Sequence, residues 1–135
     1  MTGLNSGTHS QTVVIGGILT IAVADAFSDA LGIHMAEESE NKHTTREIWE
    51  ATAATFASKF IFTLTFLVPV LLFNLSAAIA VSIIWGLFWL IILSALTAKD
   101  QKIKPLPVVF EHLLIAIFVI AATHQIGGWL AGRFN

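Results

Sequence analysis

Four stretches of the chain, at about residues 13–35, 52–73, 76–98 and 107–130, are long and apolar enough to cross a bilayer. A spanning helix needs about 20 mostly apolar residues. Within lipid every backbone polar group must find its partner inside the segment, which a helix achieves. These stretches take up most of the 135 residues. The expected fold is therefore all-α: a single membrane domain over residues 1–135 with four transmembrane helices in contact with the lipid bilayer. Composition agrees, because only 12% of the residues are charged, against about a quarter in soluble domains. The chain has no cysteine, so disulfides, thiolate zinc sites, iron–sulfur clusters and thiol catalysis are excluded. A formal net charge of −2 gives no bulk attraction for nucleic acid.

Local signals refine the helices. No basic segment precedes the first stretch, which is therefore expected to be a permanent span and not a cleaved signal peptide. Ser76 is a candidate N-cap for the third span. Pro105 and Pro107 suit the first turn of the fourth, where a missing N–H costs little. Pro69 is expected to kink the second span near its end.

Orientation follows from the Lys and Arg content of short loops. Lys42 and Arg46 lie in the first loop, residues 36–51, and Lys99, Lys102 and Lys104 in the third, residues 99–106. The N-terminal tail and the second loop carry no Lys or Arg, and the C-terminal tail carries Arg133. The expected arrangement has both termini outside the cytoplasm and loops 36–51 and 99–106 inside.

Ionisable residues concentrate in the first span and the loop after it. Asp25 falls near the middle of the span and Asp29 one turn toward the cytoplasm, on the same face. A carboxylate at bilayer depth costs about 2.5–3.5 kcal/mol on insertion scales, so neither is expected to face lipid without a function. If the helix ran unbroken through the loop, His43 would share the angle of Asp25. Asp29, Glu40, Glu47 and Glu50 would lie within about 60° of it. Glu37 and His34 would fall on an adjoining face, with the Met35 thioether at the membrane boundary. The segment Glu37 to Glu50 is expected to continue the first helix at least in part. Carboxylate and imidazole together suit Fe²⁺, Mn²⁺ or Zn²⁺. Glu37-x-x-Glu40 and Glu47-x-x-Glu50 set paired carboxylates one turn apart. The candidate metal ligands are thus Asp25, Asp29, His34, Met35, Glu37, Glu40, His43, Glu47 and Glu50. The plainer alternative for the loop glutamates is a solvated helix face. Lys59, about two turns into the second span, either snorkels to the headgroups or pairs with Asp29. Gly127, Gly128 and Gly132 permit close helix approach. No nucleophile–base constellation is visible, so an enzyme is not expected.

The run Ala24-Asp25-Ala26-Phe27-Ser28-Asp29-Ala30-Leu31-Gly32-Ile33-His34-Met35-Ala36-Glu37 resembles the second transmembrane helix of the vacuolar iron transporter family. Thr55-Phe56-Ala57-Ser58 followed by Leu67-Val68-Pro69-Val70-Leu71-Leu72-Phe73 is similar to the family's third helix. Ser94-Ala95-Leu96-Thr97-Ala98 resembles the end of its fourth. Residues 107–132, with Glu111 and Thr123-His124-Gln125-Ile126-Gly127, resemble its fifth. The likeness covers about residues 24–132. The family has five spans, so the resemblance is to a reduced form lacking the first helix and the pore aspartate that it supplies. The family's membrane Met falls at Ile33 with Met35 nearby, and its glycine falls at Asp29. Asp25 matches an acidic position, and Glu37 matches the Glu of a Gly-Glu pair. The resemblance implies a homodimer or higher homo-oligomer that exports Fe²⁺ or Mn²⁺ from the cytosol in exchange for protons, with no organic cofactor. Adjacent acids let protons and divalent cations compete for one site. The alternatives are a non-transporting membrane scaffold or subunit, with Asp29–Lys59 as a structural pair, and a metal sensor.

Overall fold

A computed structural model describes residues 1–134. The fold is all-α, with α1 at Thr2–Thr8, α2 at Gln11–Glu40, α3 at Thr45–Leu64, α4 at Leu67–Leu72, α5 at Leu75–Asp100 and α6 at Pro105–Phe134. Four helical segments have the length and composition to cross a membrane: Gln11–Glu40, Thr45–Leu72, Leu75–Asp100 and Pro105–Phe134. The buried apolar positions are mostly small, including Ala22, Ala26, Ala30, Ala78 and Ala98. Large apolar side chains lie outside, with Leu106 78% and Phe118 73% exposed. A water-soluble domain buries its Leu and Phe and does not leave broad apolar faces open. This inversion suits a chain solvated by lipid.

The chain forms two compact units: Ile15–Val68, and Met1–Val14 together with the segment from Pro69 to the C-terminus. In the first unit, α2 and α3 meet through Phe27 and Phe56, whose ring centroids are 4.7 Å apart. Helix α2 runs on to Glu40, so the expected extension beyond residue 35 is present through Glu37 and Glu40. It does not continue to Glu50. Asn41 takes the left-handed conformation at φ 50°, a role open to Asn at a helix C-terminus, and its N–H reaches the Glu38 carbonyl. Thr44 then starts α3 with a capping box. Its hydroxyl accepts from the Glu47 N–H, and the Glu47 carboxylate accepts from the Thr44 N–H at 2.7 Å. Thr-x-x-Glu is the sequence signature of that motif, and it limits the continuation of the first helix to the part before Asn41.

Pro69 acts one turn earlier than its own position. Helix α3 ends at Leu64 and α4 begins at Leu67, so the break lies at Thr65 and Phe66. A proline ring clashes with the carbonyl four residues before it, here that of Thr65, which instead accepts from the Val68 N–H at 3.3 Å.

In the second unit, the N-cap of α5 is Asn74 and not Ser76. Asn74 has extended backbone and its side-chain oxygen accepts from the Ala77 N–H at 3.0 Å. Asn and Ser are comparable caps, and the extended residue is the one that can take the role. Pro105 opens α6 as expected. Ser94 of α5 meets His112 of α6 at 2.7 Å through the ring Nδ1. The short α1 is absent from the sequence reading. It packs against α6 backbone to backbone: a Cβ on Gly3 would lie 2.8 Å from the Thr123 carbonyl oxygen, and one on Gly7 3.3 Å from that of Gly127. The Ser6 hydroxyl donates to the His124 carbonyl at 2.8 Å. Of the three late glycines, Gly127 makes the close approach. Gly128 and Gly132 have nothing within 4 Å of where a Cβ would sit.

Candidate functional site

Asp25 and Asp29 project from the middle of α2, and Lys59 of α3 reaches both. Its ammonium is in direct contact with the Asp29 carboxylate and lies 3.7 Å from Asp25 Oδ2. Pairing, not snorkelling alone, is therefore the arrangement of Lys59. Two carboxylates and one ammonium leave a single uncompensated negative charge. The side chains are 50% exposed at Asp25, 39% at Asp29 and 46% at Lys59. The cluster is thus only partly enclosed.

Toward the C-terminal end of α2, His34 is held by two residues of α3. Its Nδ1 lies 2.9 Å from the Thr52 hydroxyl. Its ring meets Trp49 edge-on, centroids 4.7 Å apart. Thr52 is buried. Met35 is 68% exposed beside it.

The four loop acids expected as ligands each have a local partner. Glu37 meets His43 Nε2 at 3.2 Å, Glu40 meets Lys42 at 3.2 Å, and Glu50 meets Arg46 at 2.7 Å one turn away. Glu47 is the capping carboxylate. Because the helix breaks at Asn41, His43, Glu47 and Glu50 do not continue the stripe that begins at Asp25. His43 returns instead to Glu37. Among the described residues no three His, Asp or Glu side chains converge as a metal-binding group. The structure therefore brings together Asp25 with Asp29, and Glu37 with His43, and leaves the other candidates apart.

The Thr44 backbone N–H, and then its hydroxyl, hold the Glu47 carboxyl below its ordinary range, with a smaller pull from His43. A depressed carboxyl stabilises the folded state above its unfolded pKa, and the effect is lost as pH falls through the folded value. Hydrogen exchange at the Thr44 amide should accordingly accelerate when the pH is lowered through that range, after correction for intrinsic rates. Constant protection would remove Glu47 from the cap.

Sequence reasoning passed over Thr52 and Ser94, the two hydroxyls that fix histidines across helix pairs. Neither stands in a motif. The available signal is a polar residue within an apolar helix, which is expected to bond to a neighbouring helix. No family model, curated protein or solved structure matches the chain.

Proposed function

We propose that this four-helix chain carries a divalent metal cation, Fe²⁺ or Mn²⁺, across the membrane, exporting it from the cytosol in exchange for protons. The observation that carries the reading is the open cluster of Asp25, Asp29 and Lys59 with its one surplus negative charge. A mid-span charge that merely held helices together would be balanced and enclosed. A surplus carboxylate facing outward from its own helix pair calls for a cation, and protons and divalent ions compete for such a group. The open side calls for cover by a second copy of the chain, so the working form is a homodimer or higher homo-oligomer with the polar route at the contact. The likeness of residues 24–37 to the second helix of the vacuolar iron transporters supports the same reading.

Mn²⁺ uptake into sealed proteoliposomes is the test. The wild type is expected to move Mn²⁺ down its gradient with counterflow of protons. Asp25→Asn keeps the volume and removes the charge, and is expected to cut the flux by about 10–100-fold, the scale set by loss of one charged group worth 1.4–2.8 kcal/mol, while the protein remains folded. Normal flux through a folded Asp25→Asn protein would remove that residue from transport. A second reading is favoured by the Lys59 contacts themselves: a non-transporting scaffold or sensor in which the ammonium is a permanent partner of Asp29. Absence of flux from the folded wild type selects it.

The proposed orientation has both termini on the non-cytoplasmic side and loops 36–51 and 99–106 in the cytoplasm, on the Lys and Arg bias of those loops. The chain has no native cysteine, so single-cysteine labelling is unambiguous. A Lys102→Cys variant in intact cells should resist a membrane-impermeant maleimide and react only after permeabilisation. Labelling from outside would invert the topology.

A further inference from the structure

The Thr52 hydroxyl has one proton, and its place is fixed. Thr52 Oγ1 lies 2.7 Å from the Ile48 carbonyl oxygen, one turn back along α3. A carbonyl oxygen can only accept, so at that separation the proton must lie between the two oxygens. The same Oγ1 is 2.9 Å from His34 Nδ1. With its proton committed, the hydroxyl can only accept there, and Nδ1 must carry the hydrogen. In a neutral imidazole with Nδ1–H the lone pair lies on Nε2. Among the described residues Nε2 of His34 has no hydrogen-bond partner. The edge contact with Trp49 holds the ring against rotation, and Thr52 itself is buried in a fixed rotamer against its own helix.

We infer that Thr52 is a positioning residue that locks His34 as the Nδ1–H tautomer and so presents the Nε2 lone pair to a borderline divalent cation at the cytoplasmic end of α2. Metal-binding histidines are commonly oriented in this way, by a hydrogen bond from the other ring nitrogen. His34 lies roughly 7.5 Å along the helix axis from Asp29 and roughly 4.5 Å from Glu37, taking 1.5 Å per residue. It therefore stands at an axial level between them, on the flank of α2 that it shares with Glu37 and about 140° around the helix from Asp29. It acts as a single transit ligand, the remaining positions on the ion being filled by water. An imidazole donor favours Fe²⁺, Mn²⁺ or Zn²⁺ over Mg²⁺ and Ca²⁺, which prefer oxygen. The free imidazole prefers the opposite tautomer, so the arrangement is distinguishable from a histidine that is merely packed. This inference rests on the metal-transport reading for its use, but its geometry is tested separately.

The experiment is nitrogen NMR on the full chain in lipid nanodiscs with ¹⁵N-labelled histidine, the His34 signals being identified by their loss in His34→Gln. The expected wild-type spectrum at neutral to mildly alkaline pH has a protonated Nδ1 and an unprotonated Nε2 at His34. Diamagnetic Zn²⁺ should shift the Nε2 resonance, and Mg²⁺ at the same concentration should not. Thr52→Val is expected to let the ring revert to the Nε2–H form and to weaken the Zn²⁺ response about 10–100-fold, the usual effect of losing such an orienting partner. Thr52→Ser keeps the hydroxyl and should keep the wild-type tautomer and response. An Nε2–H tautomer in the wild type, or an unchanged Zn²⁺ response in folded Thr52→Val, overturns the inference. A correct tautomer and Zn²⁺ response in a chain that moves no Mn²⁺ upholds it and rejects the transport reading alone.

Discussion

Asp29→Asn is expected to destabilise the protein by about 2.5–3.5 kcal/mol, the insertion cost of one ionised side chain at the helix centre. The substitution removes the carboxylate in direct contact with Lys59 and leaves the ammonium with Asp25, at 3.7 Å. Asp25→Asn should cost less, because it leaves the closer partner in place. The order of the two variants in stability is thus the reverse of their order in flux, where Asp25 is the carboxylate less committed to Lys59. Removing both charges in Asp29→Asn with Lys59→Met restores the wild-type sum of one negative charge in the cluster. It should recover most of the lost stability. Breaking one partner of a desolvated pair is the costly change, whereas replacing the pair together is often near neutral. Thermal or denaturant unfolding in bicelles, read as a double-mutant cycle, gives the coupling directly. A double variant whose loss equals the sum of the two single losses would show that Lys59 and Asp29 are uncoupled and return Lys59 to the headgroups.

The four apolar helices were legible in the sequence because lipid imposes one simple rule, a sufficient apolar length, and few side chains break it. Pro105 was legible for the same kind of reason, since a proline without an N–H belongs in a first turn. What the sequence concealed were choices between near-equal local options. Asn74 and Ser76 are both good caps, and only the backbone at Asn74 decides between them. The loop read as helix because its acids recur at helical spacing. The Thr44-x-x-Glu47 box and the left-handed Asn41 carry the opposite instruction in the same residues. That conflict matters most for the candidate site. Asp25 and Asp29 could be singled out from depth and spacing alone, whereas the contribution of His43 depended on a helix that ends before reaching it. Lys59 was ambiguous because a flexible stem can serve headgroups or carboxylates equally well. The partner of His34 was invisible, because a threonine in an apolar helix carries no mark of which neighbour it faces.

The close contact between α1 and α6 provides the second large effect, expected from Gly127→Val. A Cβ at Gly127 would fall inside hard contact with the Gly3 carbonyl oxygen and the Ser6 hydroxyl, and 2.9 Å from the Gly3 carbonyl carbon. Two of these atoms are backbone and cannot swing aside, so α1 must move as a body. Its anchoring bonds would go with it: Ser6 to the His124 carbonyl at 2.8 Å, and the Thr2–Thr123 hydroxyl pair at 3.1 Å. Overpacking of a tight contact costs about 1–3 kcal/mol. A seven-residue helix has too few turns to persist unsupported. Backbone amides of residues 2–8 are therefore expected to lose their exchange protection in Gly127→Val, with those of α5 and the first half of α6 unchanged. Gly128→Ala and Gly132→Ala meet open space. They should be neutral or stabilising by up to about 1 kcal/mol through helix propensity. Equal protection of residues 2–8 in the wild type and in Gly127→Val would mean that α1 does not dock on α6. A loss of protection confined to α1 would establish that the close approach at Gly127 is required to hold this helix in place.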